Sequence, residues 1–155
     1  MEYKEFRDDP HLPEDAGEYA DDLTDILNRI PNGWGKWLTL DKGWYRLIAE
    51  TNRKLRFMYP DYEIHQVKEK FGGLRYYFSP TRSRLSNRFT RKRFRKKWDK
   101  MDKLVKRAEE IAWQTCEFCG NTENVKTEGH MGGRGWTKTL CENCRTKRDT
   151  TSTEG

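Results

Sequence analysis

Four cysteines carry the clearest chemistry in this chain. Cys116, Cys119, Cys141 and Cys144 are its only four, and they stand as two Cys-x-x-Cys pairs with 21 residues between Cys119 and Cys141. That pattern fits a tetrahedral four-cysteine zinc site. Two residues between partners let one tight turn aim both sulfurs, and a few backbone N–H groups, at a single ion. Two such turns complete the tetrahedron. The thiols must ionise to bind, so metal binding and local folding become one event. The alternatives are a pair of disulfides, which do not require this repeated close spacing, or a redox dithiol. A redox dithiol needs one pair only, near a βαβ pattern that is not found here. The expected cofactor is Zn²⁺ and the expected compartment is reducing, which means cytoplasmic.

A second chemical signal is charge. Residues 82–97 hold Arg82, Arg84, Arg88, Arg91, Lys92, Arg93, Arg95, Lys96 and Lys97 and no acid, a net +9. Residues 1–25 hold ten acids against Lys4 and Arg7, a net −8. Such segregation points to a polyanion or an acidic partner for the basic run. A solvated helix face is the plainer reading, and an acidic segment folded over the basic one is another. Arg134, in the glycine-rich span between the cysteine pairs, joins the candidate nucleic-acid contacts. The neighbouring Trp136 and the glycines around His130 could meet bases or backbone there.

These residues need a scaffold. Hydrophobic residues are only 34% of the chain, so the apolar core must be modest; aromatics at 13% compensate through their size. Met1–Asp9 is charged and lacks the apolar region of a secretory leader, and nothing approaches a membrane span. Pro10, Pro13 and Gly17 predict an irregular acidic arm over 1–17. Leu23, Ile26, Leu27 and Ile30 predict a short helix from about Asp21, ended by Pro31-Asn32-Gly33. Trp34, Trp37 and Trp44 are either a base-stacking platform or core packing. Trp44, Leu47, Ile48, Thr51, Leu55 and Met58 predict a second helix from about Gly43, stopped by Pro60.

Two alternating runs flank Gly72-Gly73 and predict a β-hairpin turning on those glycines. That turn sets Phe71 opposite Leu74, Val67 opposite Phe78, Lys68 beside Tyr77 and Lys70 against Arg75. His65 is a lone strand histidine. After a polar linker at 81–90, Phe94, Trp98, Met101, Val105, Ala108 and Ala112 predict the longest helix. It is expected to pack on the hairpin and second helix, with a weak dimer through its seam as the other use. It runs through Trp113 straight into Cys116, so the cysteine module is rigidly attached. Residues 136–140 should be the strand into the second cysteine pair, and the tail should fray. The expected fold is α+β: a helix/β-hairpin domain over 18–112, with a long basic helix leading into a C-terminal four-cysteine zinc ribbon at 113–146, and a tail at 147–155.

Two resemblances arise at these residues. Cys116-x-x-Cys119, His130 and Cys141-x-x-Cys144 resemble the ββα-metal frame of HNH nucleases, which would make His130 the base. The likeness covers about thirty residues; Gly129 stands where an acid usually precedes the histidine, and the module holds no aspartate for magnesium. Zinc ribbons, with knuckles joined by β-hairpins, are the closer resemblance. The stretch Gln66-Val67-Lys68-Glu69-Lys70-Phe71-Gly72-Gly73-Leu74-Arg75, a helix, then Cys-x-x-Cys-Gly and Trp-x-x-Thr-Leu-Cys, is similar to small uncharacterised phage and prophage proteins. That resemblance implies a viral or mobile-element origin, hence a host cytoplasm, and no particular activity. The leading expectation is a nucleic-acid-binding accessory protein (DNA or RNA), not an enzyme and not membrane-bound. The others are an adaptor on a protein of a host or viral machine, and a degenerate HNH-like nuclease.

Overall fold

The computed structural model describes residues 6–79, 88–129 and 137–151, with side chains of 88–91 left aside. In chain order the elements are α1 (Ala20–Asn28), α2 (Tyr45–Met58), β1 (Glu63–Lys70), β2 (Gly73–Ser79), α3 (Arg88–Ala112), β3 (Val125–Glu128), β4 (Lys138–Cys141) and α4 (Glu142–Thr151). Short 3-10 turns, Gly17–Tyr19 and Lys42–Trp44, lead into α1 and α2. The protein is α+β, with two separate two-stranded antiparallel sheets among the described residues.

The apolar periods did their expected work. Leu23, Ile26, Leu27 and Ile30 are all buried, as are Trp44, Ile48, Thr51 and Leu55. Each fully buried aliphatic side chain here contributes roughly 2 kcal/mol relative to exposure. Along α3, Met101, Val105, Ala108 and Ala112 are buried, and the helix packs against α2 and β2. The expected packing of this seam on the hairpin and the second helix is what the structure shows. Phe94 and Trp98 extend it through rings: Phe78 stacks on Trp98 at 4.3 Å, and Tyr59 meets Phe94 edge-on at 5.5 Å.

The hairpin turns one residue earlier than its glycines suggested. Lys70 pairs with Gly73, so Phe71 and Gly72 form the turn, at φ +54° and +80°. Positive φ at both central residues is the type I′ geometry that matches strand twist. Gly73 is wanted elsewhere: a Cβ there would stand 2.6 Å from the Trp113 ring. The strand pairs are therefore Lys68↔Arg75, Val67↔Tyr76 and Gln66↔Tyr77, not the partners expected from a Gly72-Gly73 turn. A register shift between Ile64 and Gln66 then lets Ile64 and Val67, three residues apart, both face the core.

The tryptophans split. Trp44 is fully buried, while Trp34 is 59% exposed and Trp37 sits at the surface. The segment from Phe6 to Ala16 is anchored rather than loose. His11 N donates to Lys36 O, Lys36 N to Arg7 O, and Tyr45 Oη to Asp15. Asp22 and Asp25 pair with Arg53, Arg29 and Arg56. Of these acids, Asp15, Asp22 and Asp25 meet side chains of α1, its C-terminal cap and α2, and Asp8 accepts from Gly33 N. No helix among the described residues is long and apolar enough to cross a membrane.

Candidate metal centre and basic face

The long helix ends at Ala112, and a short turn delivers Cys116. Cys116 N donates to Asn121 O and Gly120 N to Cys116 O, closing a tight knuckle. Gly120 takes φ +80°, and a Cβ at that position would come within 3.2 Å of Gly43 O. On the other side, β4 delivers Cys141, and Cys144 lies in the first turn of α4. The second pair is therefore held by a strand end and a helix N-terminus rather than by a second turn. The segment expected to fray is helical as far as Thr151.

The four sulfurs lie within 4.8 Å of one another, with Cys119 and Cys141 3.7 Å apart. A disulfide needs about 2.05 Å, whereas thiolates about 2.3 Å from one tetrahedral ion stand about 3.8 Å apart. All four cysteines are free. Burial works to raise the Cys141 thiol, but the Cys144 backbone N–H and the adjoining sulfurs favour its thiolate and lower it to about 7. Cys144 and Cys119 are pushed up, first by burial and then by neighbouring sulfurs. One thiolate forms readily and opposes the rest. A divalent cation removes that opposition, and its charge is what lets all four sulfurs ionise. The cluster is thus positioned to bind a metal ion, and four thiolates fill a tetrahedron.

Beside the cluster lies a polar latch that sequence reasoning missed. Glu117 is fully buried between two of the ligands, and Lys138 Nζ donates to it at 2.7 Å. Lys138 also lies 3.3 Å from Asp41 and 3.6 Å from Glu69. Burial pushes the Glu117 carboxyl up to about 7, although the Lys138 ammonium works to lower it. Desolvation works against charge on Lys138 as well, but Glu117 overrides it and raises the amine. No local pattern signals it, because Asp41 and Glu69 come from outside the module.

The basic residues divide by location. Arg82, Arg84 and Arg134, with His130 and Trp136, lie outside the described residues, and Arg88 and Arg91 are known only as helix backbone. Lys92, Arg93, Arg95, Lys96 and Lys97 are exposed in the first half of α3. Helical spacing puts Lys92, Lys96, Lys100, Lys103 and Arg107 on one stripe opposite the buried seam, and all five are exposed. The stripe is about 22 Å long at 1.5 Å per residue. Exposed Asp99 flanks its middle, three residues from Lys96 and four from Lys103, and at its far end Arg107 meets Glu110 at 3.2 Å. His65 bonds to Ser79 Oγ at 2.5 Å and meets the Trp34 ring edge-on.

No protein-family model matches this sequence, and no curated protein or solved structure matches it significantly.

Proposed function

We propose that this chain is a zinc-stapled nucleic-acid-binding accessory protein, with the exposed stripe of α3 as its phosphate-binding face. The observation that carries this reading is the segregation of charge on one rigid helix. Lys92, Lys96, Lys100 and Lys103 face solvent together, while the opposite side of the same helix is locked in the core. Phosphates beside such a stripe release counterions and gain affinity without base recognition. Positive charge in the first half of a helix opposes its dipole, and a bound anion offsets that cost.

Zinc is the metal in this reading because four thiolates in a closed tetrahedron suit it and leave no open position for substrate. The role of the ion is then structural, and the protein acts by binding rather than catalysis. It works as a monomer, since its long apolar seam is used internally. The viral or mobile-element origin rests on the hairpin and cysteine motifs alone. An adaptor that binds a protein of a larger machine is the second reading. It is favoured by Phe71, which stands 73% exposed at the hairpin tip.

The test is a salt series of binding to single- and double-stranded DNA and RNA with zinc-loaded protein. A log–log slope of about −4.5 on duplex is expected if five cations each replace a counterion. The triple variant Lys92→Glu, Lys96→Glu, Lys100→Glu should lose binding while keeping its fold. Absence of binding by the wild-type protein even at low salt sinks the reading and leaves the adaptor in front.

A further inference from the structure

We infer that the end of α2 carries a nucleotide subsite for single strands, in which an unpaired base stacks on Phe57 and the adjoining phosphates meet Arg53, Lys54 and Arg56. The inference rests on the nucleic-acid reading above and deepens it by naming the substrate class.

Phe57 is 89% exposed, far more than any core-facing aromatic of the chain. It sits in the last turn of a helix whose other face is buried, so its ring is presented from a rigid platform. With Arg29, Arg53, Arg56 and Pro60 it lines an open cleft of about 500 Å³. Every charged side chain lining that cleft is an arginine. Arg29 is committed, since it bonds Asp25 and the carbonyls of Pro60 and Tyr62. Arg53 is steered by Asp22 yet keeps half its side chain in solvent. Arg56 makes one loose contact with Asp25 at 3.6 Å and is equally open. Lys54 is exposed beside them. The acids thus hold two guanidiniums in place and leave their outer edges for a ligand.

Beyond the cleft, the chain after α2 packs on the core side of α3. Tyr59 lies two residues beyond Phe57; its ring meets Phe94 of α3 at 5.5 Å, and Lys97 Nζ lies 5.9 Å from it. Lys97 is thus a cation of α3 close to this end of α2. Arginines alone would accept duplex and single strand alike. The exposed ring discriminates, because a base within a duplex has both faces covered and only an unpaired base offers one for stacking. An acidic peptide would satisfy the arginines and leave the ring without a planar partner.

The experiment compares three zinc-loaded proteins, the wild type, Phe57→Ala and Phe57→Tyr, by fluorescence anisotropy. The probes are a thymidine oligonucleotide of about twelve nucleotides, a duplex of the same length and an oligo-glutamate peptide. Phe57→Ala should weaken the single strand about tenfold and the duplex less than about twofold, and Phe57→Tyr should retain single-strand affinity. Unchanged single-strand affinity in Phe57→Ala overturns the subsite while the basic stripe still stands. Equal losses on single strand and duplex overturn it too, as would tighter, Phe57-dependent binding of the peptide. If the wild type binds no nucleic acid at low salt, the stripe fails together with the subsite. Phe57 buries almost nothing, so these substitutions leave the core intact.

Discussion

At the scale of single residues, the strongest constraints are electrostatic. Asp25 holds one end of a buried polar chain. It accepts from Asn52 Nδ2 at 2.6 Å, Asn52 Oδ1 accepts from Tyr62 Oη, and Tyr62 meets Tyr76 Oη at 2.8 Å. Burial raises both tyrosine hydroxyls, so the chain stays protonated and bonded. For Asp25, burial works upward, but the hydrogen bonds from Asn52 and Arg29 and the charges of Arg29 and Arg56 prevail and hold its carboxyl below 3.8. A carboxyl lowered in the folded state stabilises above its unfolded value, and that stability is lost as pH falls through the folded one. Asp25→Asn should therefore cost about 1–2 kcal/mol near pH 7. In urea titrations the gap from wild type should narrow as pH drops below 3.8. Both proteins lose any cysteine-bound metal alike in acid, so the difference isolates Asp25. A gap that does not change with pH would show that the carboxylate charge is not what Asn52 and Arg29 recognise.

At the scale of elements, close backbone approach decides the docking. The 3-10 turn before α2 presses against the first cysteine knuckle: Gly43 N donates to Glu117 O at 2.7 Å, and a Cβ on Gly43 would overlap the carbonyl oxygens of Cys116 and Glu117. Gly72 fills the same role for the hairpin tip, where a Cβ would stand 2.7 Å from Thr127 and where Thr139 Oγ1 donates to Gly72 O at 2.6 Å. Gly43→Ala should cost about 1–3 kcal/mol, because backbone carbonyls cannot move aside as a side chain can. Thermal melts and metal affinity should fall together in this variant. A melt within a degree or so of wild type would mean that the knuckle and α2 separate freely.

At the scale of the whole molecule, besides the Thr139–Gly72 bond, the four-cysteine module and the helix/hairpin body bond at three further places among the described residues. Trp44 Nε1, fully buried, donates to Thr115 O at 2.9 Å; Gly43 meets Glu117; and Lys138 reaches Asp41 and Glu69 of the body. A module joined to the body only through the end of α3 would loosen alone on Cys141→Ser. The contacts instead predict that chelation, or Cys141→Ser, also loosens the body around Trp44. Hydrogen exchange is the measurement: amides of β1 and of the Lys42–Trp44 turn should lose protection on chelation along with those of the module. Retention of full protection in the body would show two independent units.

Much of this was legible in the chain itself, for a physical reason. The four-cysteine cluster, the three main helices and the existence of a hairpin depend on local spacing, and local spacing is written directly in the residue order. The choice of turn residues was not, because Gly73 is claimed by Trp113, a contact forty residues away in sequence. The latch of Lys138 with Glu117, Glu69 and Asp41 was equally hidden, since its members come from four segments. Trp34, Trp37 and Trp44 look alike in sequence, and only the tertiary packing decided that Trp44 belongs to the core and Trp34 to the surface. Charge marked a basic run; which of its cations stand together on one face, and that Phe57 is exposed at the end of α2, was settled by how α2 and α3 bury their opposite sides. Periodicity is local and survives in the sequence, whereas burial and close approach depend on what each segment meets, and that is a property of the folded chain.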